Sequence, residues 1–279
     1  MFKTKLLVAA LALGMSATAS ARFTVTGNSE FAFSAWDAAA QVGYTYDLED
    51  IGFNAAFGSD VRMNSFIGTS HTTSALNTSL VNAAATGVLF DIALPSFSEF
   101  LSQGNAANVS WNLVSIDVSG LKRIIQTVAT APVAAQTNKQ IHEASAATDQ
   151  YFGAVSAKGT HATADDGVAV TVAADLTAYA GAATFGGNFG SKGYANSGSL
   201  DDTLDMFVFG QTNTGATNSA AGKFGQLLDA SGNALTAKVY MADSGMYHLQ
   251  ISAVPEPETY AMLLAGLGLI GAAARRRRA

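Results

Sequence analysis

The sequence predicts a mainly-β body, an antiparallel β-sandwich-like domain with one or two helical insertions, between a cleavable N-terminal signal and a C-terminal transmembrane helix. Three observations carry this reading. Apolar and polar residues alternate with period two in many short runs, as half-buried strands require. The chain holds 27 glycines and is only 13% charged, a composition suited to strands and turns. Its two ends are apolar in a way the middle is not.

The first segment is Met1-Phe-Lys3-Thr-Lys5, a short basic region, followed by apolar Leu6 to Met15. Small residues from Ala17 to Ala21 then offer an A-x-A pattern at Ala19 and Ala21. This is the layout of a secretory signal, residues 1–21, with cleavage after Ala21. The body spans 22–253. Phe31, Phe33 and Ala35 alternate with small or polar neighbours, and Val42, Tyr44, Tyr46 and Leu48 do the same. Further strands are predicted at 88–93, 108–118, 121–129, 168–173, 204–209, 235–241 and 246–252. The last two flank Ala242-Asp243-Ser244-Gly245, a turn-rich tetrad, and read as a closing hairpin.

Residues 136–157 break the alternation. Ile141, Ala144, Thr148, Tyr151, Phe152 and Val155 recur near a helical period, Thr137 or Asn138 can cap the start, and Lys158-Gly159 suits the end. A second short helix is predicted at 96–103, after Pro95. Residues 64–85 fit helix or loop, and glycine-rich 181–198 reads as a long loop. No repeat of 20 to 50 residues occurs, which argues against a solenoid or propeller. Alternating strands with few helices favour one antiparallel domain over a doubly wound sheet. The alternative is two smaller β units joined through the 136–157 helix.

The tail begins Val254-Pro255-Glu256-Pro257, continues through uncharged Thr259 to Ala274, and reaches Arg275, Arg276, Arg277 and Arg278. At about 1.5 Å per helical residue the uncharged stretch extends roughly 24 Å, somewhat short of a hydrocarbon core of about 30 Å. Tyr260 suits one headgroup level, and the arginines hold the other flank in the cytoplasm, acting as a membrane stop. Pro255 and Pro257 fit poorly inside a helix, so the span starts after them and the triplet stays extended.

This order resembles the PEP-CTERM sorting signal of Gram-negative bacteria, whose partner is exosortase, a membrane transpeptidase. The resemblance covers 254–279. It implies export through the inner membrane, a transiently anchored precursor, processing at Pro255, Glu256 and Pro257, and delivery to the outer surface or extracellular matrix. Exosortase systems accompany exopolysaccharide production, so exopolysaccharide is an implied contact. In the body, Ser29-Glu-Phe-Ala-Phe-Ser-Ala-Trp-Asp37 and Val42-Gly-Tyr-Thr-Tyr-Asp-Leu48 resemble the opening strands of exported PEP-CTERM proteins of unassigned activity. That likeness supports the fold and brings no chemistry.

Charge and cysteine content exclude several classes. Of the 15 basic and 21 acidic residues, the two end segments hold six and two, leaving 9 basic and 19 acidic in the body. A net of −10 with no basic stripe disfavours a nucleic-acid partner. With no cysteine, disulfides, thiolate nucleophiles and cysteine-ligated zinc are excluded.

Catalytic constellations do not assemble. Gly266-Leu-Gly268-Leu-Ile-Gly271 matches G-x-G-x-x-G, but inside the apolar tail rather than between a strand and a helix. His142-Glu143 starts a zinc-protease motif, yet Ala146 stands where the second histidine belongs. His71, His142, His161 and His248 share no ligand spacing, and no G-x-S-x-G elbow occurs. The expectation is therefore no catalytic residue, no metal and no cofactor. Asp165-Asp166-Gly167, Asp201-Asp202 with Asp205, and Asp47 with Glu49-Asp50 could offer oxygen ligands to calcium, but they read better as turns and strand caps. Trp36 with Tyr44 and Tyr46, or Trp111, could stack on sugars if exposed, though core is their default. Asn77 and Asn108 open N-x-S/T sequons, a weak guide in a bacterial host. The expected function is a non-enzymatic cell-surface or matrix protein; the alternative is an extracytoplasmic binding module for a glycan or calcium.

Overall fold

The computed structural model describes residues 30–52, 88–118, 120–164, 166–182, 195–227 and 233–254, together with Leu267 and Ile270. Its strands are β1 (Glu30–Asp37), β2 (Val42–Gly52), β3 (Val88–Ala93), β4 (Val109–Asp117), β5 (Arg123–Val128), β6 (Val168–Val172), β7 (Gly198–Ser199), β8 (Thr203–Gly210), β9 (Lys223–Gln226), β10 (Ala234–Met241) and β11 (Tyr247–Val254). Two α-helices intervene, α1 (Phe97–Ser102) and α2 (Asn138–Val155), with 3₁₀ turns at Ala106–Asn108 and Ala173–Ala178.

These strands form one sheet, not the two packed sheets of a sandwich. Its order is β3-β11-β10-β8-β5-β4-β1-β2-β6, with β7 on β4 and β9 on β8. Every pairing is antiparallel. β5, which precedes the long helix in sequence, pairs directly with β8, which follows it, so the helix does not separate two β units. The sandwich expectation fails for a physical reason. Alternation shows that a strand has an apolar face, but not whether that face meets a second sheet or the same sheet curled round on itself.

Here the sheet curls. Its inner face carries Phe33 of β1, Tyr44 of β2, Trp111 of β4, Val208 of β8, Val239 of β10 and Leu249 of β11 in a single cluster. Helix α1 closes the curl. The Phe97 ring lies 5.0 Å from that of Tyr44 on β2 and 5.3 Å from that of Tyr247 on β11, so the two flanks of the sheet meet through one side chain. Tyr44 donates its hydroxyl to the Pro95 carbonyl at 2.7 Å, fixing the entry to that helix. Burying each such aromatic stabilises the fold by about 1.5–3 kcal/mol.

Helix α2 lies on the outer face over the centre of the sheet. Thr137 caps it: the Thr137 hydroxyl accepts from the Gln140 amide, and the Gln140 side chain accepts from the Thr137 amide. Ile141, Ala144, Tyr151, Phe152 and Val155 are buried against Val114, Ile124 and Phe209. The layer beneath is partly polar. Tyr151 shares hydrogen bonds with Ser34 and Thr45, and burial pushes its phenol up to about 12. Gly43 is required nearby, because a Cβ there would stand 2.9 Å from the Tyr179 ring and 3.2 Å from the Ala180 amide.

The predicted strands all lie on observed ones, with ends shifted by a few residues. The predicted helices at 136–157 and 96–103 become α2 and α1. β7 and β9, four residues or fewer, gave no alternation to read. Residues 64–85 and 183–194 lie outside the described residues, as do Ala19, Ala21, Pro255, Glu256, Pro257 and Arg275, Arg276, Arg277 and Arg278. Among the described residues no helix is long and apolar enough to cross a membrane.

Candidate functional site

The aromatic candidates are part of the core. Trp111 is fully buried and donates its indole N–H to the Ser199 carbonyl at 2.7 Å. Tyr44 is fully buried, while Trp36 and Tyr46 are 5% and 6% exposed. None presents a ring face to a sugar.

The acidic candidates separate. Asp202 closes the turn into β8, accepting from the Ser199 amide at 2.7 Å, and Asp201 beside it is exposed. Burial raises the Asp205 carboxyl above its usual range. Asp47 is buried, while Asp165 and the side chains of Glu49 and Asp50 lie outside the description. Among the described residues no group of three or more His, Cys, Asp or Glu is placed to hold a metal ion.

Asp166 instead lines an open cleft of about 460 Å³ at the seam where the curled sheet's flanks approach. Ser96 and Glu99 from the α1 segment line it together with Thr160, Asp166, Val168 and Val170. Ser96 has φ 57°, a left-handed conformation unusual for a residue with a Cβ. Tyr46 lies close behind. Burial, then the negative charges of Asp166 and Asp47, push its phenol up to about 12. Two hydroxyls and two carboxylates beside Val168 and Val170 can accept hydrogen bonds from a polar or cationic group.

Sequence reasoning missed one well-connected polar group on the sheet's outer face. Asp91 of β3, Tyr240 and Lys238 of β10, and His248 and Gln250 of β11 meet on the outer face. Asp91 accepts from the Tyr240 hydroxyl at 2.6 Å and the Gln250 amide at 2.8 Å, and its other oxygen lies 2.8 Å from His248 Nδ1. Lys238 Nζ sits 5.0 Å from the centroid of the Tyr240 ring. Burial alone would raise the Asp91 carboxyl. The hydrogen bonds from Tyr240, His248 and Gln250 outweigh it and hold the carboxyl below its usual range. An Asp–His pair can orient an imidazole for base catalysis, but base catalysis also needs a nucleophile or substrate group beside the outer nitrogen. The bonds present all run between strands, so the group clasps β3, β11 and β10 together. Its signal in the sequence was the polar half of three alternations. The hairpin turn sets Tyr240 opposite His248, but nothing local announces that β3 joins them.

His161 is fully buried, and that burial lowers its pKa to about 4 against an opposing hydrogen bond with the Thr45 backbone. It is therefore neutral in the fold. His142 lies on α2 and His248 on β11, so these histidines do not converge.

The chain leaves the sheet along β11. This strand pairs with β10 as far as Val254 opposite Ala234, and with β3 as far as Ser252 opposite Val88. Pro255 follows directly and carries no amide hydrogen to donate. No curated protein and no solved structure matches the chain. Residues 253–278 match the family model of the PEP-CTERM protein-sorting motif. From the end of its last strand onward, the chain thus carries the motif of an exosortase substrate, an exported protein sorted to the membrane or cell surface.

Proposed function

We propose that the body is a non-enzymatic module of the cell surface or of the extracellular polysaccharide matrix. In this reading, residues 1–21 direct export and are removed. The precursor is then held by an apolar span at 259–274 and its arginine stop, and exosortase releases the body by processing at the Pro-Glu-Pro triplet. The match over 253–278 is the observation that carries it. The polar group centred on Asp91 is engaged in holding strands together, which supports a structural module over a catalyst.

Replacing Pro255, Glu256 and Pro257 together with alanine tests the reading. The expected outcome is intact export with unprocessed protein held in the inner membrane, while the parent reaches the surface and matrix fraction with a shortened C-terminus. Intact-mass analysis of both fractions reads the result. Identical processing in parent and variant, or a parent confined to the soluble periplasm, would overturn it.

A further inference from the structure

The sorting motif begins without any slack. β11 is an interior strand, flanked by β10 on one edge and β3 on the other. On the β10 side its pairs run Thr236 with Ser252, Leu235 with Ala253 and Ala234 with Val254. Ile251 is fully buried and Ala253 is 8% exposed, so the last turns of this strand are held by packing as well as by the ladder. Pro255 follows Val254 directly. A transpeptidase takes its substrate as an extended segment reaching a few residues to either side of the scissile bond, with backbone groups free to meet the enzyme. In the folded body the residues on the amino side of the triplet already spend those groups on β10 and β3.

We propose that the terminal pairs of β11 form a latch that sets the rate of exosortase processing: the enzyme acts when Ser252, Ala253 and Val254 open from β10. This rests on the exosortase reading above and adds a control to the same site. The end of the strand suits such opening. On the β3 side the register slips between Ile251 and Ser252, so the ladder is weakest where the motif begins. Strand ends open locally at a fraction of the cost of unfolding the sheet, so the latch works with the body otherwise intact.

The test inserts a six-residue Gly-Ser spacer between Val254 and Pro255, with the same insertion in the exposed loop between Asn213 and Thr214 as control. Conversion of full-length precursor to product is followed by pulse-chase and intact mass in cells containing exosortase. The β11–Pro255 spacer is expected to speed conversion by roughly five- to tenfold, the population gained when strand-end opening is no longer needed, with the control insertion at the parental rate. The converse variant is Thr236→Cys with Ser252→Cys, outside the matched motif and directly opposed in register. Because the chain has no other cysteine, oxidation staples only this pair, and it should slow conversion until a reductant is added. Equal or slower conversion of the spacer variant overturns the latch while leaving the sorting reading standing. An intact C-terminus in parent and spacer variant alike overturns both.

Discussion

At the β1–β2–β4 end of the sheet both faces are buried: Phe33 and Tyr44 point into the curl, while Ser34 and Thr45 lie under Tyr151 of α2. At the β10–β11–β3 end the inner face is buried, while the outer face beyond buried Thr236 carries Lys238, Tyr240, His248 and Gln250, half-buried, beside exposed Asp91. One end is held by packing on two sides. The other is held by the ladder, one-sided packing and a polar clasp. The difference teaches that helical cover, more than strand sequence, decides how much of this sheet is core. The sorting motif departs from the end with cover on one side only.

Removing Trp111 should break the doubly packed end most severely. Trp111→Ala deletes a fully buried indole and its bond to Ser199, and about 3–5 kcal/mol of stability should be lost in chemical denaturation of residues 22–254. A fall of less than about 1 kcal/mol would mean that the curl does not enclose this side chain as described. Acid should act next, and at the same end. His161 has a folded pKa of about 4 against an ordinary 6.5, so the unfolded chain takes the proton first. Its contribution is present in full above pH 6.5 and is lost as pH falls toward and through 4, roughly 3 kcal/mol in total. Melts across that window should show the slope in the parent, and His161→Gln should flatten it.

The clasp sharpens the other side of the comparison with a smaller effect. Asp91→Asn should cost about 1 kcal/mol, because the group is partly exposed and its hydrogen bonds compete with water. The loss should show as faster amide exchange in β3 with little change in β1 or β2. Asp91 has a lowered pKa, so its share is present above the ordinary carboxylate range and is lost as pH falls through the folded value. That window lies below the one set by His161. Asp201→Ala, at an exposed turn, supplies the baseline of less than about 0.5 kcal/mol.

The comparison also shows what the sequence could reveal. Strands β1 and β2 were legible because Phe31, Phe33, Tyr44 and Tyr46 alternate, and α2 because Thr137 and Gln140 form a cap ahead of a 3.6-residue stripe. The hairpin of β10 and β11 was legible from Ala242 to Gly245, where Gly245 takes φ 79°. Curling was not legible, because it depends on Phe97 touching both Tyr44 and Tyr247, contacts that no local pattern encodes. The Asp91 group was hidden for the same reason. Its carboxylate sits 159 positions from Gln250, and long-range pairing is what a single sequence reveals least. Trp111 and Tyr44 could be read as core or as platform from residue type alone, and only burial separated the two.

The partnership of β3 with β11 has a consequence for the order of events during export. β3 ends at Ala93, yet its partner strand ends at Val254, so the edge of the sheet cannot be completed until nearly all of the chain has crossed. Closing so large a loop comes before the contacts that reward it, which makes this a slow-folding, high-contact-order topology. The pairs β1–β2, β1–β4, β4–β5 and β2–β6 need nothing beyond Val172, so it is the β3 edge that waits for β11. That edge is completed only by the strand from whose end the matched motif continues.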